Sequence, residues 1–468
     1  MIRENPSDSI KQKDKTAIFW KITPPSLGSS MEIRKLRENF SPLYDSFKKR
    51  RLDTSELDRF VEKDREWRNL QKRIEELRAE KNKCSRKISS SKTIDKDTVA
   101  KAKELANKIL ELEARAAKVS EERRMLLLSL PNILLDSVPL EKEVAIGFLG
   151  KPKVSADKVE EFKKAYPNLG FSISKNVKSQ YDIIKEYCLV DEEKGAELAG
   201  SRFYYKTNEL VLLDVALAFY AIMKLSKQKF RLISPPYLVK KIVEEGATTL
   251  DAFEEALYKI EGEDLYLIPT SEHPIAAYNN NKVFKEEELP IRYCGFSPSF
   301  RKEAGAHGKD TKGIFRNHHF NKVEQYVICT PQQAENEFNM LIRNQAELLY
   351  ELGIPVRVIV LPAWDMDKKA LIQADVEGWW PAQNKYRELG SHGYMGSWQG
   401  VRFNIKYIPN DKKGIEYVHT IYGTYVATER ALACMLENAL DENGIIHIPK
   451  VLADYVQMDE ILPKRVKK

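Results

Sequence analysis

The stretch Phe300-Arg301-Lys302-Glu303 is followed, after a Gly- and Lys-rich loop (Ala304 to Lys312), by Gly313-Ile314-Phe315-Arg316-Asn317-His318-His319-Phe320-Asn321-Lys322-Val323-Glu324. It reads as two strands joined by that loop, with Arg301 and Glu303 spaced so that both point to one face. Arg316 and the aromatic Phe320 follow on the return strand. Arginines contact phosphates bidentately, a ring stacks on a base, and a carboxylate accepts from an exocyclic amine. Together these groups suit an anionic, flat-ringed ligand such as ATP. Read blandly, the same residues make a charged surface hairpin, and their context has to decide.

Three further pieces carry groups of the same kind. Thr270-Ser271-Glu272 follows the apolar, strand-like Leu265 to Ile268. The run Trp380-Pro381-Ala382-Gln383-Asn384-Lys385-Tyr386-Arg387-Glu388-Leu389-Gly390-Ser391 ends on a carboxylate and a hydroxyl. His419-Thr420-Ile421-Tyr422-Gly423-Thr424-Tyr425-Val426-Ala427-Thr428-Glu429-Arg430 runs into the helical segment Ala431 to Asn438.

The elements that must position these residues can be read from composition and period. At 468 residues the chain is long enough for two or three domains and a large core. Charged residues make up 31% and the formal net charge is +7, a mild surplus compatible with nucleic acid. No run approaches the ~18 consecutive apolar residues of a membrane span, and the N-terminus lacks the apolar centre of a secretory signal. Five cysteines (Cys84, Cys188, Cys294, Cys329, Cys434) are scattered without a CxxC pair. That speaks against a disulfide framework and a structural zinc site and fits a reducing cytosol. The seven histidines include His318-His319 but no ligand cluster.

Residues 1–30 are polar and irregular and read as a disordered or extra N-terminal extension. From Thr54 the pattern is helical: Phe60, Trp67, Ile74 and Ile88 share one heptad position, and Leu70, Leu77 and Cys84 the other, with Lys81 as the break. After a polar turn (Ser89 to Ser91, Asp95 to Asp97), Leu105, Ile109, Leu112, Ala116 and Val119 repeat at 4-3-4-3 spacing. Two such helices predict an antiparallel coiled-coil hairpin with Lys, Arg and Glu on its outer faces; by itself it is a solvated spacer or dimerising element as readily as a binding arm. The hairpin ends at Leu130-Pro131-Asn132, with Asp136-Ser137-Val138-Pro139 as the linker. Beyond it there is no βαβ alternation, GxGxxG or P-loop, which favours an antiparallel sheet with helices over a Rossmann-type site.

The four pieces resemble the class II aminoacyl-tRNA synthetases, and the Phe-x-Lys-Val-Glu ending is most similar to the seryl-tRNA synthetases. The resemblance implies an α+β fold: a class II antiparallel sheet flanked by helices, preceded by the coiled-coil hairpin. It divides the chain into residues 1–30, a tRNA-binding arm at 31–135 and a catalytic domain at 136–468. It implies that Arg301 contacts the α-phosphate and the amino acid carboxylate, Glu303 the adenine amine, Arg316 the outer phosphates and Phe320 the adenine ring, with Lys302 and Asn317 also on ATP. Arg430, at the motif 3 position, would grip the γ-phosphate. Glu388 and Ser391 would sit on a magnesium ion, with Leu389 and Gly390 beside ATP; a hard cation that keeps several waters needs no more protein ligands. Thr270, Ser271 and Glu272 would hold the substrate ammonium, and Glu324 and Thr424 the serine ammonium and hydroxyl. Arg231-Leu232-Ile233-Ser234-Pro235-Pro236 resembles motif 1, which implies a homodimer. ATP and Mg2+ as cofactors, serine and tRNA(Ser) as partners, no membrane and a cytoplasmic location follow from the same resemblance. After motif 3 too little chain is expected for a further domain of ~50 residues, as histidyl-, threonyl- and prolyl-type enzymes would need.

The chain also departs from the family pattern. Ser391-His392-Gly393-Tyr394 stands where Ser-Cys-Ser-Asn is usual, Ser397 where an aspartate is, and Val401 where an arginine is. Tyr422 replaces an asparagine and Tyr425 a small residue. These changes fall at the amino acid pocket and keep open a diverged paralogue, one that activates another small amino acid, serves another acceptor such as a carrier protein, or is a silent tRNA-binding protein.

Overall fold

The structure, a computed structural model, describes residues 3–4, 18–21, 33–90, 96–249, 256–303, 312–411 and 414–463. The chain separates into two compact units, residues 51–131 and residues 1–50 with 132–468.

The smaller unit is a pair of long helices, α1 (Ser55–Ser90) and α2 (Lys96–Ser129). Leu70, Ile74 and Leu77 of α1 bury against Leu105, Ile109, Ala116 and Val119 of α2, with Trp67, Cys84 and Leu112 packed at the margins. These are the predicted heptad positions, and burying that stripe is what holds two otherwise polar helices together. Ion pairs cross the seam: Lys63 to Glu122 at 2.7 Å, Arg115 to Glu66 at 2.6 Å and Arg78 to Glu113 at 2.7 Å. Asp64 is fully buried between Arg123 (2.8 Å) and Arg68 (3.1 Å), and the Arg123 guanidinium lies 4.5 Å from the Trp67 ring centre. Of the expected polar turn, residues 91–95 lie outside the described residues.

The larger unit is built on a ten-stranded sheet. Its strands are β1 (Arg3–Glu4), β2 (Ile18–Lys21), β3 (Val144–Leu149), β4 (Arg231–Ile233), β5 (Ile291–Phe300), β6 (His319–Cys329), β7 (Val356–Val360), β8 (Ile372–Trp380), β9 (Lys385–Gly396) and β10 (His419–Ala427). Their order across the sheet is β1-β2-β3-β7-β8-β9-β10-β6-β5-β4. All neighbours run antiparallel except β5 and β4, which are parallel. Every residue of β8 is buried, as a central strand covered on both faces requires. The helices α3 (Glu209–Lys227), α4 (Glu272–Tyr278), α5 (Ala334–Glu351) and α6 (Thr428–Ala439) accompany the sheet. Phe338, Leu341, Leu348 and Leu349 of α5 and Leu432, Met435 and Leu436 of α6 join strand residues such as Val356, Ile372 and Val376 in one core. An antiparallel sheet with flanking helices, preceded in the chain by a helical hairpin, is the α+β architecture expected.

Residues 1–30 fall mostly outside the described residues; within them, Ile18 pairs with Phe148 and Phe19 with Gly147 at the sheet edge. One sequence expectation is corrected. Strand pairing ends at Phe300 opposite His319, so Arg301 to Glu303 lie beyond β5 and residues 313–318 are not strand. Glu303 takes a φ of +51°, which breaks the alternation that was to set Arg301 and Glu303 on one face. The loop residues 304–311 lie outside the described residues.

Candidate active site

The sheet positions a cleft of about 350 Å³ lined by residues from separate chain segments spread between Thr248 and Arg430. Of the predicted residues, Thr270, Glu272, Arg301, Phe320, Glu388, Leu389, Gly390, Ser391, Thr424 and Arg430 all line it. They come from the loop before α4 and its first residue, the residue just after β5, the start of β6, mid-β9, late β10 and the start of α6.

One group of contacts centres on two arginines. The Arg301 Nε donates to the Pro269 carbonyl at 3.3 Å, and its guanidinium lies 5.2 Å from the Phe320 ring centre. Burial lowers its pKa from the usual arginine value, and the nearby Arg430 lowers it further. Arg430 Nη1 donates to Glu388 Oε1 at 3.1 Å and Nε to the Phe315 carbonyl at 3.3 Å. Ser391 Oγ lies 3.5 Å from the same Glu388 oxygen, and Asp375 pairs with Ser391 across β8 and β9. Burial and the Glu388 charge push the Asp375 carboxyl well above its ordinary range.

A second group of contacts joins carboxylates and lysines around Thr270. Glu324 is wholly buried and forms a close ion pair with Lys322, two residues before it on β6. Burial pushes the Glu324 carboxyl up, against the pull of Lys322. Thr270 Oγ1 donates to Glu324 Oε2 at 3.4 Å and accepts from the Glu272 amide at 3.1 Å. Glu324 Oε1 is buried without a hydrogen bond. A buried acceptor left unpaired costs free energy, on the order of 1–3 kcal/mol, so an incoming donor is favoured there. Glu272 Oε1 accepts from Lys369 Nζ and Gln399 Nε2, both at 2.9 Å.

The remaining predicted residues, Glu303 and the wholly buried Glu324 included, do not line the cleft. Ser271 is fully buried, its Oγ packed against Gly295, where an added Cβ would come within 2.7 Å of it. Asn317 Nδ2 donates to the Ile314 carbonyl at 2.6 Å and the Tyr204 hydroxyl at 3.3 Å, so its amide braces the turn. Arg316 Nη1 donates to Glu303 Oε2 at 2.9 Å. Lys302 is exposed, and its amide donates to the Ala256 carbonyl at 2.9 Å.

Among the departures, Tyr422 lines the cleft whereas Tyr425 belongs to the core. Sequence reasoning gave no role to Lys322, Asp367, Lys369, Gln373 or His273, which also line the cleft. Lys322 was within reach, since it sits two residues from Glu324 on the same strand face. His273 Nδ1 lies 2.5 Å from the buried Glu244 Oε2, a pairing across 29 positions that no local motif announces.

The antiparallel sheet, with two arginines and a carboxylate–hydroxyl pair in its cleft, agrees with the class II synthetase resemblance. A family model described as the tRNA synthetase class II core domain (G, H, P, S and T) matches residues 255–439, and one described as the seryl-tRNA synthetase N-terminal domain matches residues 31–134. A relative named serine–tRNA ligase from Hyperthermus butylicus is 40% identical over 93% of this chain and 96% of its own length. Another of that name from Archaeoglobus fulgidus is 40% identical over 92% and 97%. The crystal structure of seryl-tRNA synthetase from Pyrococcus horikoshii complexed with ATP superimposes with a TM-score of 0.87 at 38% identity, covering 93% of this chain and all of that one. A cytoplasmic serine-tRNA ligase from Naegleria fowleri in complex with AMP gives 0.76 at 31% identity, covering 91% and 96%. The chain belongs to the seryl-tRNA synthetase family.

Proposed function

We propose that this chain is a serine–tRNA ligase. The serine carboxylate attacks the ATP α-phosphate, pyrophosphate leaves, and the seryl group passes from the adenylate to the terminal ribose hydroxyl of tRNA(Ser). The carrying observation is that Arg301, Arg430, Thr270, Glu272 and Thr424 line one cleft, with the buried Glu324 paired opposite Thr424 on the neighbouring strand. No side chain acts as nucleophile. Positioning and charge stabilisation supply the rate, as is usual where phosphoryl oxygens carry the developing charge.

In this reading Arg301 bridges the α-phosphate and the serine carboxylate, Arg430 takes the γ-phosphate, and Phe320 stacks on adenine. Glu303 and Arg316, already paired with each other, serve the adenine amine and the outer phosphates. Lys302 and Asn317 flank those groups, and Leu389 and Gly390 pass beside them. Thr270 and Glu272 receive the ammonium, with Ser271 as packing beneath them. The unpaired Glu324 Oε1 and the Thr424 hydroxyl receive the serine ammonium and hydroxyl. Glu388 and Ser391, adjacent hard oxygen donors on β9, would hold Mg2+, which when bound neutralises phosphate charge.

The helical arm is read as the tRNA(Ser) contact, on its lysine- and arginine-rich outer faces. A homodimer is proposed on an apolar stripe of α3 (Leu212, Val215, Phe219) together with Leu232 of β4 and Ile242, each at least half exposed. No helix among the described residues is long and apolar enough to cross a membrane; the proposed place of action, with the tRNA pool, is the cytoplasm.

The test is ATP–pyrophosphate exchange with a panel of amino acids. Serine is expected to be the best substrate. Exchange that is absent with serine but robust with another amino acid overturns the reading.

A further inference from the structure

The cleft holds two residues without a role in the reaction just described, Lys369 and Tyr422. Lys369 lies on the loop between β7 and β8 and is almost wholly buried. Its Nζ donates to Glu272 Oε1 at 2.9 Å, lies 3.5 Å from Asp367 Oδ2, and sits 4.8 Å from the centre of the Tyr422 ring. An ammonium taken out of water is tolerated only when paired, and here two carboxylates and an aromatic face share it.

The loop that carries Lys369 is fixed on its far side. Arg50 donates to the carbonyls of Asp367 at 3.2 Å and Ala370 at 2.6 Å, and Asn132 Nδ2 donates to the carbonyl of Lys369 itself at 2.7 Å. Glu272 is likewise fixed: Gln399, which donates to it, accepts from the Tyr326 hydroxyl at 2.7 Å. Both donors meet on Oε1 of Glu272, which lines the cleft.

Tyr422 has room only because its neighbour is glycine. Gly393 pairs with Tyr422 across β9 and β10, and a Cβ on it would come within 2.3 Å of a ring carbon. Two departures from the family pattern, Gly393 and Tyr422, are therefore one steric change. The ring lies against the Gly393 backbone, beneath the Lys369 ammonium, and lines the cleft with Thr424, two residues further along β10.

We infer that Tyr422, held in place by Lys369, is a specificity-determining residue that closes the amino acid subsite to any side chain larger than serine's. Lys369 is the positioning residue of the pair, since it fixes both the ring and Glu272. This assignment rests on the serine-activating reading above and adds what keeps the homologous hydroxy amino acid, threonine, out.

The experiment is pyrophosphate exchange by the full chain with serine, threonine and alanine, comparing wild type with Tyr422→Asn, Tyr422→Phe and Lys369→Met. Tyr422→Asn should raise the threonine-to-serine ratio of kcat/KM by about tenfold or more, the discrimination one methyl group carries in a closed pocket. Tyr422→Phe keeps the ring and should keep the ratio. Lys369→Met frees the ring and Glu272, and should raise both that ratio and the serine KM while the ATP KM stays put. Tyr422→Asn with normal ATP KM, normal serine exchange and an unchanged ratio overturns the assignment alone. A wild-type chain inert with serine refutes the underlying reaction and the assignment with it.

Discussion

Glu324 stands directly opposite Thr424 across β6 and β10, one step past a register shift in which Val323 pairs with Val426. The extra residue is Tyr425, and the bulge sends its side chain into the core while turning Thr424 toward the cleft. A carboxylate and a hydroxyl are thereby brought side by side on adjacent strands, the arrangement a substrate with both an ammonium and a hydroxyl can bridge.

Thr424→Ala should therefore cost serine more than it costs alanine. Loss of one hydrogen bond to a neutral hydroxyl is about 0.5–1.5 kcal/mol, up to roughly tenfold in kcat/KM. Alanine, which makes no such bond, should be nearly unmoved. Exchange assays with both amino acids measure the difference, and equal losses would remove Thr424 from hydroxyl recognition.

Arg430 and Arg301 should each be needed for adenylate formation. Replacing either by Ala removes a charged donor in a buried site, a loss on the order of 100-fold or more in rate. Arg430→Ala also releases Glu388 Oε1, which accepts from it at 3.1 Å. Normal exchange by Arg430→Ala would show that the γ-phosphate is held elsewhere.

Much of this arrangement was legible in the sequence because it rests on short periods and contiguous motifs. The heptad positions Leu70, Ile74 and Leu77 are buried where the period set them. Arg301, Phe320, Glu388, Thr424 and Arg430 share one cleft although up to 129 positions separate them. What stayed hidden depends on register and on loops. The face shared by Arg301 and Glu303 presumed a strand that stops at Phe300. Tyr425 was placed with the altered pocket because a bulge, which inverts alternation, leaves no mark in one sequence. Lys369 sits in a loop whose path is set by Arg50 and Asn132, more than 230 positions away.

Acid should destabilise the fold through two buried histidines. Burial holds His392 down to about 3 and His419, with Lys35 nearby, to about 4, from an ordinary 6.5. The carbonyls of Leu341 and Ala374 lie toward the His392 ring, yet neither completes an aligned hydrogen bond. Because the folded values are depressed, the unfolded chain binds these protons first. The stability of the neutral rings is present above pH 6.5 and is lost as pH falls toward 4 and then 3. Each histidine contributes at most about 1.4 kcal/mol per pH unit in that window. Urea midpoints for His392→Met should fall less steeply between pH 6 and 4 than those of the parent chain. An unchanged slope would mean that His392 is not kept neutral.

The last prediction concerns the arm. Residues 51–131 form a unit with its own seam, and the ion pairs Lys63–Glu122, Arg115–Glu66 and Arg123–Asp64 close within it. The cleft is lined wholly by residues between Thr248 and Arg430. Deleting Thr54 to Met125 should therefore leave pyrophosphate exchange largely intact and abolish or sharply weaken tRNA charging. The intact protein's tRNA affinity should fall as salt rises, with a slope near −0.7 to −0.9 for each phosphate neutralised. In the proposed reading the Lys and Arg side chains of α1 and α2 supply that term, so the truncated chain should lose most of the slope along with the affinity. Full charging after truncation would reduce the hairpin to a spacer. Equal loss of exchange and charging would show instead that the arm supports the fold of the cleft.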